Sequence, residues 1–160
     1  VIRGTPILLQ LYLFYFILPM ALPALNIETY PSIAIALVVN SSAYVSEVIR
    51  SGIQAVDKGQ TEAARSLGLN KTQTMLKVVL PQAVKNILPA LGNEFIMIIK
   101  ETSLASTFFV GDLMTSYLTV RGATFLAIES LFIVGVIYFV LTFALSKLVG
   151  IYENKLKNAE

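Results

Sequence analysis

Three long stretches of this chain carry no charged residue: Gly4 to Ile27, Thr29 to Ser46 and Ser130 to Ser146. A bilayer hydrocarbon core of about 30 Å takes about 20 helical residues, so each stretch, with its flanks, is long enough to span it. A fourth apolar stretch, Asn86 to Val110, holds Glu94, Lys100 and Glu101. The pattern predicts an all-α membrane protein with four spans, near residues 6–25, 31–50, 87–110 and 125–147. Thr5-Pro6 reads as a capping hydroxyl before a proline at the first helical position. Pro19, Pro23 and Pro31 bracket a short connector holding Asn26 and Glu28.

Residues 51–86 are too polar to span and too patterned for a slack linker. Thr61 can cap a short helix through Glu62, Ala63, Ala64, Arg65, Ser66 and Leu67, with Gly68 taking the left-handed backbone that ends it. Asn70, with Gln73 three residues on, fits a capping box opening a second helix that presents Met75, Leu76, Val78, Val79 and Leu80 before Pro81 bends or ends it. Two readings fit two short helices that are apolar on one side. One is an amphipathic connector lying on the lipid surface. The other is a knob docking into a groove of a soluble partner, where Ala63 and Ala64 allow close approach and Glu62 supplies one charge.

Composition agrees with the membrane reading. The chain is 56% hydrophobic and 14% charged, about half the charged fraction of a soluble domain. With no cysteine and no histidine, it has no thiolate nucleophile, disulfide, zinc-finger spacing or Ser-His relay, and no metal site is expected. A net charge of +2 gives no nucleic-acid surface. Arg3, six Lys and Arg residues between Arg50 and Lys85, and Lys147, Lys155 and Lys157 put ten of the twelve basic residues on one side. The positive-inside rule then places residues 51–86 and the tail 148–160 in the cytoplasm.

An ionisable group at mid-bilayer costs about 2.5–3.5 kcal/mol on insertion scales, so charges at depth need partners or a watery cavity. Glu94 and Glu101 are seven residues apart, two helical turns, and fall on nearly one face, while Asn93 and Lys100 repeat that spacing on the adjacent strip. Phe95, Ile96, Ile98 and Ile99 cover other directions. Either Lys100 pairs with Glu101 or Glu47 and fixes helix packing, or this wall lines a path for a zwitterion, Glu101 meeting its ammonium and Lys100 its carboxylate. Glu47 and Arg50, three apart, are placed for a structural ion pair near the end of the second span. Asn40, Ser41 and Ser42 can hydrogen-bond between helices.

Glu62-Ala63-Ala64, Gly68, Val78 and Leu80-Pro81 together resemble the EAA loop of ATP-binding-cassette importer permeases, with Val78 where the family usually has isoleucine. Arg3-Gly4-Thr5-Pro6 with Gln10, the stretch from Ala43-Tyr44 to Arg50-Ser51-Gly52-Ile53, and Lys100-Glu101-Thr102-Ser103-Leu104 extend the resemblance to the polar amino-acid uptake branch. The resemblance implies a type I importer permease, one transmembrane domain over residues 1–160, in a bacterial cytoplasmic membrane. It also implies that Glu62 pairs with a basic residue of an ATPase cleft, that Ala63 and Ala64 pack on its wall, that Gly68 makes the bend, and that Leu80-Pro81 leads to the third span. The family core has five spans, so the fifth is expected before Arg3, in keeping with a start at Val1. Implied partners are a cytoplasmic ATPase pair carrying ATP and Mg, a second permease copy or a related permease, an extracytoplasmic amino-acid-binding protein and the amino-acid substrate.

The chain itself has no G-x-x-x-x-G-K-[ST] loop, so no nucleotide or other cofactor is expected on it. The expected function is the permease subunit of an ATP-driven amino-acid importer, a transport subunit and not an enzyme. The competing class is a non-transporting membrane anchor that recruits a cytoplasmic partner through residues 51–86. An intramembrane hydrolase is a poorer fit: two glutamates about 10 Å apart along one helix cannot share a proton.

Overall fold

The computed structural model describes residues 2–157; Val1 and residues 158–160, the ends of the expected domain and tail, lie outside it. Every regular element among the described residues is helical. The long helices are α1 (Ile7–Ala21), α2 (Thr29–Gln54), α5 (Leu80–Glu101), α6 (Leu113–Thr124) and α7 (Ala127–Lys157). Two short ones, α3 (Lys58–Ser66) and α4 (Lys71–Thr74), fill the polar loop, and a π turn at Met75–Val79 joins α4 to α5. Helices α2 and α7 are each long and apolar enough to cross a membrane. At 15 residues, α1 is about 22 Å long and continues into a 3₁₀ turn at Pro23–Leu25.

The chain divides into two compact units, one holding Val1–Ala43 and Phe95–Leu145, the other Tyr44–Glu94 and Ser146–Glu160. In the first, Leu11 of α1 packs with Ile33 and Ala36 of α2 and with Ala105 and Phe108. The Tyr12 and Tyr15 rings meet Phe108 with centroids 4.8 and 5.0 Å apart. Within this core the Asn40 amide donates to Gln10 Oε1 at 2.9 Å, and both side chains are buried. In a lipid setting, whose tails are as apolar as leucine, such a core would be held by close packing and polar bonds rather than by water exclusion.

In the second unit two glycines leave room for a side chain of the facing helix. A Cβ on Gly52 would lie 2.3 Å from Ile87 Cγ1, and one on Gly92 would lie 2.7 Å from Val149 Cγ2. The end of α2 and α5 therefore meet where the Ile87 side chain fills the space over Gly52, and α5 and α7 where the Val149 side chain fills the space over Gly92.

Several boundaries differ from expectation, each for a local reason. Thr5 does not cap α1; its hydroxyl donates to Ile2 O at 3.1 Å and accepts from Gln10 Nε2, while Pro6 occupies the N-cap. Pro19 lies inside α1 and Pro31 inside the first turn of α2, so the connector is shorter than the prolines suggest. Thr61 falls within α3, whose cap is Asp57, accepting from the Gly59 N–H at 2.6 Å. Pro81 neither ends nor interrupts the helix. The wide π turn precedes it, with the Leu80 N–H bonded five residues back to Met75 O, and relieves the clash a proline ring makes with the turn before it.

The helix that carries the third apolar segment starts ahead of it, at Leu80, and does not run to 110: α5 ends at Glu101 and a 3₁₀ helix follows over Thr102–Phe108. There the Thr102, Ser103 and Ser106 hydroxyls each donate to the carbonyl three residues back, at 2.6–2.7 Å, which favours the tighter winding. Helix α6 was not expected; it begins where Asp112 Oδ1 accepts from the Thr115 N–H at 2.6 Å. Helix α7 runs ten residues past position 147, through most of the expected tail.

Candidate coupling and transport site

The polar loop folds as two helices with distinct closures. α3 ends at Gly68, whose φ of +87° is the left-handed conformation, and the Leu69 N–H reaches back to Ala64 O at 3.2 Å. Asn70 and Gln73 then form a reciprocal capping box: Asn70 Oδ1 accepts from the Gln73 N–H at 2.9 Å, and Gln73 Oε1 accepts from the Asn70 N–H at 3.0 Å. Both signals are local and both were readable from the residues.

The faces of α3 are not equivalent. Glu62 and Ala63 are exposed, and Leu67 at its end is 82% exposed. Ala64 is only 5% exposed, so it packs within its own chain. Ala63 and Ala64, adjacent in the motif, thus differ in exposure. Leu80 is half-buried and Pro81 exposed, both already inside the continuous helix that becomes α5.

On α5, Glu94 is buried at 8% exposure and Asn93 beside it is exposed. One turn pair further on, Lys100 is exposed and Glu101 half-buried at the last position of the helix. Lys100 forms no ion pair among the described residues. Glu47 instead holds Arg50: the guanidinium donates through Nε to Glu47 Oε2 at 2.9 Å and through Nη2 to Glu47 Oε1, and its Nη1 reaches Gln54 Oε1 at 2.8 Å. The three- and four-residue spacings are those of neighbours on one helix face.

On α2, Asn40 makes an interhelical bond, to Gln10, whereas Ser42 donates to Val38 O of its own helix at 2.7 Å. Gln10 carries more than the motif suggested. Its amide nitrogen also lies 2.8 Å from Ile2 O and from Thr5 Oγ1, tying the Arg3-Gly4-Thr5-Pro6 turn to the helix pair.

A helix carrying Glu62-Ala63 outward, a left-handed Gly68 and a capped second helix running straight into an apolar segment matches one family along its length. That family is described as the binding-protein-dependent transport system inner membrane component, and the match covers residues 1–158. The chain belongs to this family. The chain is 44% identical over 158 residues to the arginine transport system permease protein ArtQ of Bacillus subtilis, covering 99% of this chain and 72% of that one. It is 37% identical over 157 residues to the glutamine transport system permease protein GlnP of Escherichia coli K12, covering 98% and 72% respectively. The crystal structure of an amino acid ABC transporter with histidines superposes with a TM-score of 0.88 at 47% identity, covering 96% of this chain and 71% of that one. In an inner-membrane transport component, the many exposed apolar side chains of α7, among them Phe132, Phe139 and Phe143, need no aqueous cover.

Proposed function

We propose that this chain is the permease subunit of an ATP-driven amino-acid importer, forming part of the translocation path and coupling to a separate ATPase through residues 51–86. The observation that carries the reading is the outward Glu62-Ala63 helix ended by Gly68, standing in a chain whose relatives are named amino-acid transport permeases. Four spans are assigned: α1 with its 3₁₀ turn, α2, α5 with the 3₁₀ helix after it, and α7. The weight of basic residues puts the loop and the C-terminal end of α7 on the cytoplasmic side of a bacterial plasma membrane.

In this reading Glu62 meets a basic residue of the ATPase cleft, with Ala63 and Leu67 seated against it. ATP and Mg sit on the ATPase. A second permease copy or a related permease completes the path, and an extracytoplasmic binding protein delivers the amino acid. Asn93, Glu94, Lys100 and Glu101 line the path, with Lys100 and Glu101 offering one complement to each charge of a zwitterion.

Reconstitution with the co-expressed ATPase and binding protein tests the proposal. ATP-dependent uptake of labelled amino acid, with ATP hydrolysis stimulated by loaded binding protein, is the expected outcome. Recruitment of the ATPase without uptake would support the anchor reading instead.

A further inference from the structure

A cavity of about 460 Å³ opens in the second unit between the end of α2, α3 and the π turn. Its floor is apolar, with Ile53, Val56 and Val79, and its rim carries Lys58, Arg65 and Lys71. No carboxylate among the described residues lines it. The Lys58 and Lys71 side chains are exposed, and among the described residues the Arg65 guanidinium donates from Nη1 to Leu69 O at 3.3 Å, which leaves most of its five N–H donors for a ligand.

We infer that this cavity is a binding site for the headgroup of an anionic phospholipid. Three cations around one opening fit a phosphate diester, and the apolar floor fits the glycerol and the first methylenes. Ile53 and Gln54 belong to the last turns of α2, a helix long and apolar enough to cross a membrane, so in the proposed orientation the cavity would open where that helix leaves the bilayer, towards the headgroups. Along α3, Lys58, Thr61 and Arg65 form one strip at three- and seven-residue spacing. Glu62 and Ala63 occupy the neighbouring, outward part of the same helix and do not line the cavity. Glu62, four residues after Lys58 and three before Arg65, stands beside that strip, so the ATPase and the lipid would approach neighbouring parts of one helix. The same element that receives the ATPase would be held to the bilayer surface by charge, giving the loop a fixed depth.

The inference takes from the proposed function only the membrane location of α2, and its test is separable from the uptake assay. The complete transporter, purified with its ATPase, is given equal amounts of phosphatidylglycerol and phosphatidylcholine in detergent, and retained lipid is counted by native mass spectrometry. Phosphatidylglycerol is expected to be retained selectively, and the preference to fall at least about tenfold in Lys58→Gln/Arg65→Gln/Lys71→Gln. Lys77→Gln, outside the cavity, should retain lipid as the wild type does. The charge-conserving Lys58→Arg/Arg65→Lys/Lys71→Arg should keep the preference, and if the glutamine triple fails to assemble, Lys71→Gln alone must lower retention in part. An unchanged count in the triple variant overturns the inference. So does loss of ATPase co-purification with lipid retention intact, which would give the cations to an acidic segment of the ATPase. Displacement of phosphatidylglycerol by millimolar inorganic phosphate would reduce the site to a simple anion pocket and overturn it too.

Discussion

Gly52 on α2 faces Ile87 on α5 so closely that a Cβ there would stand 2.3 Å from Ile87 Cγ1. No side chain larger than hydrogen fits without moving Ile87, which is itself buried. Gly52→Ala is expected to destabilise the transporter by about 1–3 kcal/mol, the usual range for an overpacked contact. Shortening the partner with Ile87→Ala should restore much of the loss, so the two changes are non-additive. Thermal melting of the purified complex for the two single variants and the double variant measures the coupling; additive losses would show that the contact does not bear on stability.

The Gln10–Asn40 bond joins α1 to α2 in an apolar core. Asn40→Leu leaves the Gln10 carbonyl without its partner and is expected to lower stability by about 1–2 kcal/mol. Gln10→Leu should cost more than Asn40→Leu, because Gln10 also holds Ile2 O and Thr5 Oγ1. Ranking the two variants by melting temperature checks the order.

Gly68 sits at φ +87° with no neighbouring heavy atom near an added Cβ, so its requirement is backbone conformation and not space. Gly68→Ala should cost about 1–2 kcal/mol from the left-handed backbone alone, and Gly68→Asn noticeably less. Because the strain is local, hydrogen exchange across residues 62–73 should rise before the global melt shifts.

Glu62 and Ala63 are exposed whereas Ala64 is buried, so substitutions at adjacent positions should separate by phenotype. Glu62→Ala and Ala63→Leu are expected to weaken ATPase co-purification with the membrane subunit still folded. Ala64→Leu should instead reduce yield and melting temperature, since it overpacks the chain's own interior. Equal loss of ATPase binding at all three, without loss of stability, would contradict this division.

For the transport wall, Glu101→Gln keeps the shape and removes the charge. Loss of one charge-assisted contact, about 1.5–3 kcal/mol, should raise the KM for uptake about tenfold or more with ATPase association unchanged. Normal uptake kinetics would remove Glu101 from the path.

Much of this was legible because it is local. Gly68 and the Asn70–Gln73 box depend on residues within a few positions of each other, and the side chains that close those turns are the ones that sequence spacing identifies. The same logic misplaced the start of α3, because Asp57 and Thr61 are both good caps and only Asp57 stands where one further turn of helix can form. The seven-residue spacing of Glu94 and Glu101 predicted a shared strip but not its depth, since burial of Glu94 depends on what the fold brings against it. The burial of Ala64 was not legible for a related reason: a small residue serves equally to admit a partner or to pack inside. Spacing alone makes Pro81 a bend or an end of the helix, because a π turn has no residue signature of its own.

That π turn sets a phase. Met75–Val79 holds more residues than a regular turn would, and each residue of an α-helix advances the direction of its side chain by about 100°. Everything from Leu80 onward, Glu94 included, therefore points where it does relative to the Asn70 cap because of that surplus. Deleting one residue between 75 and 79 would let the helix run regularly and swing Glu94 by about a quarter turn about the helix axis, with every side chain of α5 still present and none of them facing its former neighbours.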